Sequence, residues 1–282
     1  MRIAPKLTRR RCLALAGTAV GGTLLYTWRV EPHWFHVVRR DLPIAGLPPA
    51  LRGRLLVQLS DLHVGAIVDS AYLIRALRFA SGLGQVMTVI TGDFMSCEAS
   101  EYVDEVARVL GHLRPGPLGC LAVLGNHDYG RDWLNADGAD QLSHRLAGLG
   151  VAVLRNETRT VAGLQVVGLE DLWGPFFRPE PLLRATDWGR PTLVLCHNPD
   201  AVDLPIWSGY GGWVLSGHTH GGQCKPPFLP PPILPVKNLR YTAGAFDLSG
   251  GRRLYINPGL GYLKRVRFNV RPEITAFRLR DA

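Results

Sequence analysis

Two histidines one residue apart lie in a glycine-rich segment that directly follows a short apolar run. The segment reads SGHTHGGQ over residues 216–223, and the run before it reads WVL over residues 213–215. Because residues i and i+2 of an extended chain project to the same side, His218 and His220 can converge on one small object. Paired imidazoles suit a transition metal. For this motif alone, a polar turn with two solvated histidines is an equally good interpretation.

Other apolar runs predict further strands, and helical patterns lie between the first of them. The strand patterns cover residues 55–60, 86–90, 120–124, 151–154, 158–162, 164–169, 193–196, 241–248, 253–256 and 273–279. The helical patterns cover residues 69–81, about 100–113 and 136–149. Asp69 or Ser70 suits the N-cap of the first helix. The alternation predicts an α/β fold, and the hairpin over residues 158–169 indicates a second, more antiparallel sheet.

Polar side chains that can bind metal follow the predicted strands, where sites gather in open α/β sheets. They are Asp61, His63, Asp93, Asn126, His197, His218 and His220. One zinc ion takes about four ligands, so seven suit two ions that share a carboxylate. Paired ions about 3.5–4 Å apart are a recurrent hydrolytic device. The mixed oxygen and nitrogen donors suit Mn, Fe, Zn or Co better than Ca.

Five blocks in this order resemble the calcineurin-like metallophosphoesterase superfamily. They are DLH at 61–63, GD at 92–93, GNHD at 125–128, His197 and GHTH at 217–220. The segments LCHNPD at 195–200, GHTHGGQ at 217–223 and RPEIT at 271–275 further resemble the bacterial YaeI-like phosphodiesterase group. The resemblance implies a four-layer α/β/β/α sandwich of two mixed sheets.

The resemblance also implies a role for each residue. Asp61, His63 and His220 would hold the first of two divalent metal ions, Asp93 would bridge, and Asn126, His197 and His218 would hold the second. The ions would lower the pKa of a bridging water, and the resulting hydroxide would attack phosphorus in line with the leaving oxygen. His127 would contact the phosphoryl group and protonate the leaving alkoxide, with Asp128 orienting it; a purely structural turn residue is the alternative for His127.

The first thirty residues differ in composition from the rest. They carry six basic residues and no acid, so most of the net charge of +9 lies there. Arginines at 9–11 before an apolar run over 14–28 resemble a twin-arginine export signal, while a basic unstructured tail is the alternative. We expect a signal or membrane anchor over 1–30, a connector over 31–50 and the metallophosphoesterase domain over 51–282. The domain would be periplasmic or anchored to the outer face of the inner membrane.

These features favour a dinuclear phosphodiesterase acting on a phosphoester small molecule or a lipid, such as a lipid-linked pyrophosphate. A phosphomonoesterase and a non-catalytic metal-binding or partner-binding module remain alternatives. No nucleic-acid partner is expected, because the charge outside the leader is only +3. Asp171 and Trp173 are weaker candidates for the pocket wall, as are Lys264, Arg265 and Arg267 for an anionic head group. The proline-dense residues 226–235 are a candidate rim or lid, and no cysteine spacing indicates a disulfide.

Overall fold

The computed structural model describes residues 8–96, 102–207 and 209–282, in which twelve strands form two six-stranded sheets. The first sheet contains β1 (His36–Ile44), β2 (Leu55–Leu59), β3 (Met87–Thr91), β4 (Cys120–Val123), β5 (Val151–Val153) and β12 (Glu273–Asp281). The second contains β6 (Glu157–Val161), β7 (Leu164–Gly168), β8 (Thr192–Leu195), β9 (Trp213–Ser216), β10 (Gly244–Asp247) and β11 (Arg253–Ile256). Both sheets mix parallel and antiparallel pairs.

The first sheet has the strand order β1-β12-β2-β3-β4-β5. Strands β2 to β5 are parallel neighbours, so each connection must cross over the sheet. Three helices serve these crossovers: α2 (Ser70–Ser81), α3 (Val103–Leu110) and α4 (Ala136–Ala147). Asp69 is the N-cap of α2, where its Oδ1 accepts hydrogen bonds from the backbone N–H groups of Ala71 and Tyr72. The parallel order brings the carboxyl ends of β2, β3 and β4 to one edge.

The second sheet has the order β10-β11-β9-β8-β7-β6. Its four central strands, β11, β9, β8 and β7, are parallel. The two outer strands are antiparallel, and β6 with β7 forms the hairpin that the sequence predicts. The antiparallel pairs therefore lie at the margins, and the centre of this sheet also gathers strand ends at one edge.

Apolar side chains join the two sheets face to face. One buried cluster combines Leu56 and Leu121 of the first sheet with Leu193 and Leu215 of the second. A second cluster packs α2, α3 and α4 on the outer face of the first sheet. A third covers the outer face of the second sheet, where α5 (Glu180–Ala185) contributes Leu183. This layering confirms the predicted α/β architecture of two mixed sheets between helices.

The structure differs from the connector expected over residues 31–50. Residues 36–44 of that segment form β1, which pairs in parallel with β12 along its whole length, from His36 opposite Glu273 to Ile44 opposite Asp281. The sequence did not predict this strand, because it contains charged residues at 39–41 and a proline at 43. Both features are tolerated in a strand at the edge of a sheet. The folded body therefore begins before residue 51.

The leader forms α1 (Arg9–Leu25), and none of its side chains is buried. A π-helical turn, Tyr26–Val30, joins it to the body, where the N–H of Arg267 donates to the carbonyl of Thr27 at 3.0 Å. Within the described ranges, no helix combines the length and the apolarity that crossing a bilayer requires. The basic Arg2 and Lys6 of the leader, and Cys97, lie outside the described residues. The other four cysteines are free.

Candidate metal centre

All seven predicted metal ligands lie where strands of the two sheets end, and all seven are buried. Asp61 and His63 follow β2, Asp93 follows β3 and Asn126 follows β4, while the second sheet supplies the three imidazoles of His197, His218 and His220. None of the seven is more than 3% exposed to solvent. Buried side chains of this polarity require partners, and here they have mainly one another.

The structure groups six of the seven residues into two clusters. In the first, Asp61, His63 and His220 place one ligand atom each within 4.8 Å of the others. The Nε2 atoms of His63 and His220 are 2.9 Å apart, and the Nε2 of His220 is 3.3 Å from the Oδ1 of Asp61. The second cluster holds Asp93, His197 and His218 with the same mutual separation. Its two imidazoles approach to 3.2 Å between His218 Nδ1 and His197 Nε2.

Asp93 stands between the two clusters. Its Oδ2 is 3.5 Å from the Nε2 of His63 in the first cluster and 3.2 Å from the Nε2 of His197 in the second. Its Oδ1 accepts a hydrogen bond from the backbone N–H of His127 at 3.0 Å. A carboxylate with this placement suits a ligand shared by two cations.

The donor set fits divalent metal ions. Both amide atoms of the Asn126 side chain are buried and have no hydrogen-bond partner among the described residues, although a buried amide ordinarily has one. A metal ion would use the lone pair of the amide oxygen. The facing Nε2 atoms of His63 and His220 likewise offer lone pairs to a common point. Carboxylate, amide and imidazole donors together suit a first-row transition metal.

Five of the candidate ligands have backbone conformations that non-glycine residues rarely adopt. The φ angles are 50° at Asp61, 48° at His63, 53° at Asp93, 71° at His218 and 50° at His220. Such left-handed residues each cost roughly 1–3 kcal/mol and cluster at functional sites. Backbone hydrogen bonds hold them in place: Asp61 N–H donates to the Gly92 carbonyl and His63 N–H to the Asp93 carbonyl, both at 3.0 Å.

Two glycines allow the backbone to approach the carboxylates closely. A Cβ added to Gly217 would lie 1.9 Å from Ser60 Oγ and 2.4 Å from Asp61 Oδ2. A Cβ added to Gly125 would lie 2.2 Å from the Oδ1 of Asp93. Both separations are far below van der Waals contact, so glycine is required at each position for its lack of a side chain.

Burial controls the charge of the imidazoles. It lowers the pKa of His63 and of His218 to about 3, and it holds the pKa of His220 well below its ordinary value. These three imidazoles are therefore neutral at physiological pH, which is the form that binds metal. Burial raises the pKa of Asp61 to about 7.

Asp93 and His197 shift each other's pKa in opposite directions. Burial alone would raise the pKa of Asp93, but the positive charge of His197 holds it well below the usual range. Burial likewise opposes the charge on His197, and the carboxylate of Asp93 nevertheless raises the pKa of that imidazole. A cation bound here would replace the proton of His197 as the partner of Asp93.

The half-buried His127 and the fully buried Asp128 follow Asn126 after β4. The ring of His127 is half-buried and lies edge-on to that of His63, with centroids 4.9 Å apart. The carboxylate of Asp128 accepts backbone hydrogen bonds from Phe94, Met95 and Gly125, and thereby ties the loop after β3 to the loop after β4. The orienting role of Asp128 towards His127 stays a prediction.

Aromatic residues form one wall beside the second cluster. The ring of Trp173 meets His218 edge-on at 4.5 Å and stacks on Trp133 at 5.0 Å. Asp171 lies behind this wall, fully buried, and its Oδ1 accepts a hydrogen bond from the Trp173 N–H. Sequence reasoning named Trp173 and missed Trp133, because an isolated tryptophan in a loop gives no indication of its partner.

Arg267 has a role that the sequence did not reveal. The side chain is completely buried, and its Nη2 donates to the carbonyls of Pro258 and Gly261 at 2.9 and 2.6 Å. The same nitrogen is 3.5 Å from the Nδ1 of His220. A contact with an anionic head group, considered from the basic run at 264–267, is not available to a guanidinium in this position. The run gives no sign of which cation is buried.

Comparison with known proteins gives matches over most of the chain. A sequence model described as calcineurin-like phosphoesterase matches residues 55–222. Phosphodiesterase YaeI of Escherichia coli is 30% identical over 97% of this chain and 99% of its own. UDP-2,3-diacylglucosamine pyrophosphatase LpxG of Chlamydia muridarum is 28% identical over 93% and 95%. The crystal structure of phosphopantetheinyl hydrolase from Mycobacterium tuberculosis overlaps 75% of this chain and 91% of its own at 17% identity, with a TM-score of 0.41.

Proposed function

This chain belongs to the calcineurin-like phosphoesterase family of metal-dependent hydrolases, and we propose that it hydrolyses a phosphodiester or a pyrophosphate with two divalent ions. The position of Asp93 carries the proposal. Its Oδ2 lies within 3.5 Å of an imidazole Nε2 from each of the two clusters, which suits a shared ligand. The two clusters are consistent with a dinuclear hydrolase.

Each cluster would hold one ion. Asp61, His63 and His220 would bind the first, Asn126, His197 and His218 the second, and Asp93 both. When bound, the ions would supply a nucleophile from water near neutral pH and would offset charge on the phosphoryl oxygens. The protein fixes the ligands in advance through the left-handed backbone and the close glycine contacts. Pre-positioned charge of this kind needs no rearrangement during the reaction.

His127 is the residue best placed to handle a proton. It lies beside the first cluster, next to the ring of His63, and is the only half-buried imidazole among the predicted site residues that the structure describes. We assign to it the protonation of the leaving oxygen, a general-acid contribution of about 10²–10⁴-fold. The hydrogen bond from its backbone N–H to Asp93 fixes its position relative to the ligand shared by the clusters.

The names of two relatives support the substrate class that we propose. One is named a phosphodiesterase and another a pyrophosphatase of UDP-2,3-diacylglucosamine, which is a lipid-linked pyrophosphate. We propose a diester or pyrophosphate with a lipid part in preference to a phosphomonoester. Manganese is the first metal to test, followed by iron, zinc and cobalt.

A location outside the cytoplasm is also proposed. Three arginines at residues 9–11 precede the apolar residues of α1, the order that twin-arginine export signals share. The chain would be exported folded and would remain in the periplasm or on the outer face of the inner membrane. Fractionation of cells that express the full chain, with and without Arg10→Lys and Arg11→Lys, tests this point.

Hydrolysis of bis-p-nitrophenyl phosphate by the purified chain, loaded with Mn²⁺, tests the proposed reaction. We expect turnover, and we expect Asp93→Asn to lose nearly all of it. Asp247→Asn is the matched control, because Asp247 is an exposed carboxylate of edge strand β10. Bound metal without turnover in any of the four metals would instead indicate a non-catalytic metal-binding module.

A further inference from the structure

An exposed apolar loop lies beside the candidate metal centre. Residues 226–235, the rim loop, contain six prolines and present Phe228, Leu229 and Ile233 to solvent. Phe228 is fully exposed, Leu229 is 60% exposed and Ile233 is 78% exposed. Contiguous apolar exposure of this kind marks an interaction surface in soluble domains.

The rim loop is fixed directly to the centre. The carbonyl of Pro235 accepts a hydrogen bond from the Nε2 of His218 at 2.7 Å. Pro231 packs so closely on Gly222 that a Cβ added to the glycine would lie 2.3 Å from the Cβ of the proline. An apolar cavity of about 290 Å³ runs from Ile233 to His220. A partner that covers the rim loop therefore lies next to the residues proposed to bind metal.

The two chain segments that carry the rim loop and its neighbour at 258–272 are basic in sequence. Residues 224–246 and 258–272 contain seven Lys and Arg residues and no Asp or Glu. Lys225 and Lys264 are exposed, and the two segments are joined by the hydrogen bond from Lys225 N–H to the Phe268 carbonyl at 2.8 Å. Exposed apolar side chains bordered by cations match the interface of an anionic bilayer, where the apolar groups enter the acyl boundary and the cations meet phosphates.

The same surface continues into the leader helix. Arg265 lies over the ring of Trp28 at 5.8 Å, directly after α1. Leu24, Leu25 and Trp28 at this end of the leader are all exposed. The leader and the rim loop thus approach the body at one place, the segment over residues 263–268. A membrane that contacts the leader would therefore also be close to the rim loop.

We propose that the rim loop and Leu263, which is exposed and lines the same cavity as Ile233, form a membrane-docking surface. This surface would lie on an anionic phospholipid bilayer, with Lys225 and Lys264 among the head groups. Docking would place the candidate metal centre at the lipid surface, where a phosphate in the head-group layer comes within reach. The access of the centre to a lipid phosphate rests on the proposed function. Binding of the protein to the membrane does not depend on turnover.

Photo-crosslinking of the full chain tests the docking. The photoreactive residue p-benzoyl-phenylalanine is introduced at position 228, and vesicles of phosphatidylglycerol serve as the target. Position 149 is the matched control, since Leu149 is exposed before β5, at the edge of the sheet opposite the centre. We expect at least tenfold more lipid adduct from position 228 than from position 149, and less adduct with phosphatidylcholine. Equal labelling, or adducts to a second protein chain in place of lipid, overturns the proposal.

A variant with Phe228→Ser, Leu229→Ser and Ile233→Ser separates docking from chemistry. Its rate on bis-p-nitrophenyl phosphate should match that of the parent chain, while its rate on a phosphodiester lipid embedded in phosphatidylglycerol vesicles should fall about tenfold. An unchanged ratio of the two rates contradicts the docking surface. Absence of turnover on both substrates in the parent chain contradicts the proposed function and leaves the crosslinking result to decide the docking.

Discussion

The guanidinium of Arg267 lies 3.5 Å behind the imidazole of His220, measured from Nη2 to Nδ1. That nitrogen also donates to carbonyls of the loop over residues 258–261, and the loop supports the first cluster, because Gly261 N–H donates to the Asp61 carbonyl at 2.7 Å. Burial lowers the pKa of His220, and the positive charge of Arg267 lowers it further. Arg267 thus both holds the loop over residues 258–261 in place and favours the neutral form of His220.

Replacement of this buried cation should weaken both the fold and the first cluster. Arg267→Met leaves several buried carbonyl groups without donors, at a cost of about 1–3 kcal/mol for each group left unsatisfied. We expect a free energy of unfolding lower by roughly 3 kcal/mol in urea titration, together with weaker binding of one of two metal ions. Arg278→Met is the control at an exposed position of β12. Unchanged stability and metal affinity in Arg267→Met would show that the carbonyls find other donors.

The close approach at Gly217 predicts a severe effect from a single methyl group. In Gly217→Ala the new Cβ would meet Ser60 Oγ and Asp61 Oδ2, so the side chain of the candidate ligand Asp61 must move. We expect a loss of roughly 1–3 kcal/mol in stability and a larger fractional loss of metal affinity. Calorimetry and metal titration measure the two quantities. Gly82→Ala, where the added Cβ meets the Phe79 carbonyl at an ordinary 3.4 Å, should be nearly neutral.

The raised pKa of Asp61 predicts that metal reverses the effect of one substitution. Without bound metal, the folded-state pKa of Asp61 of about 7 exceeds the ordinary value of 3.8. Between these two pH values the folded state therefore binds a proton that the unfolded state has released. The contribution of Asp61 to stability is therefore fully present below pH 3.8 and is lost as the pH rises through 7. Asp61→Asn should consequently stabilise the metal-free protein at pH 8 and have little effect near pH 4.

Metal should change the sign of that difference. At pH 8 with saturating Mn²⁺, the charged carboxylate becomes a ligand, so Asp61→Asn should unfold at a lower temperature than the parent chain. Thermal unfolding with a chelator and with Mn²⁺ gives both comparisons in one experiment. The exposed Asp247→Asn should show neither effect. A variant that is less stable than the parent in both conditions would mean that Asp61 is held by protein contacts and not by a cation.

A proton-donating role for His127 predicts a dependence on the leaving group. His127→Asn should lower kcat about 10²–10³-fold on a diester with an alkoxide leaving group and much less on p-nitrophenyl esters, whose leaving group needs no proton. Metal content should be unchanged. His144→Asn, at an exposed position of α4, serves as the control. Equal losses on both substrates would indicate that His127 positions the phosphate and donates no proton.

The sequence predicted the parts of this protein that depend on local pattern. The helix that begins after Asp69 could be predicted because its N-cap and its apolar periodicity lie in one short stretch of sequence. The candidate ligands could be predicted because each follows an apolar run that is typical of a strand. The resemblance to the phosphoesterase family implied that all seven candidate ligands lie together, and the structure groups six of them into two clusters.

Features that depend on distant partners were not predictable. β1 has charged residues and a proline in its sequence, and it becomes a strand only because β12 supplies a neighbour more than 230 residues later. Arg267 cannot be distinguished from Lys264 or Arg265 by pattern, since its burial depends on carbonyls of another loop. The stacking of Trp133 on Trp173 has the same cause: two loops meet only in the folded chain.

The number and coupling of bound ions in the parent chain and in Asp93→Asn test the dinuclear centre most directly. Metal analysis after loading with Mn²⁺ should find two ions per parent chain, and electron paramagnetic resonance should show the spin coupling of neighbouring ions. Asp93→Asn should lose the coupling and at least one ion, while Asp247→Asn keeps both. A single ion in the parent chain, or two ions whose coupling survives in Asp93→Asn, would contradict a shared carboxylate between the two clusters.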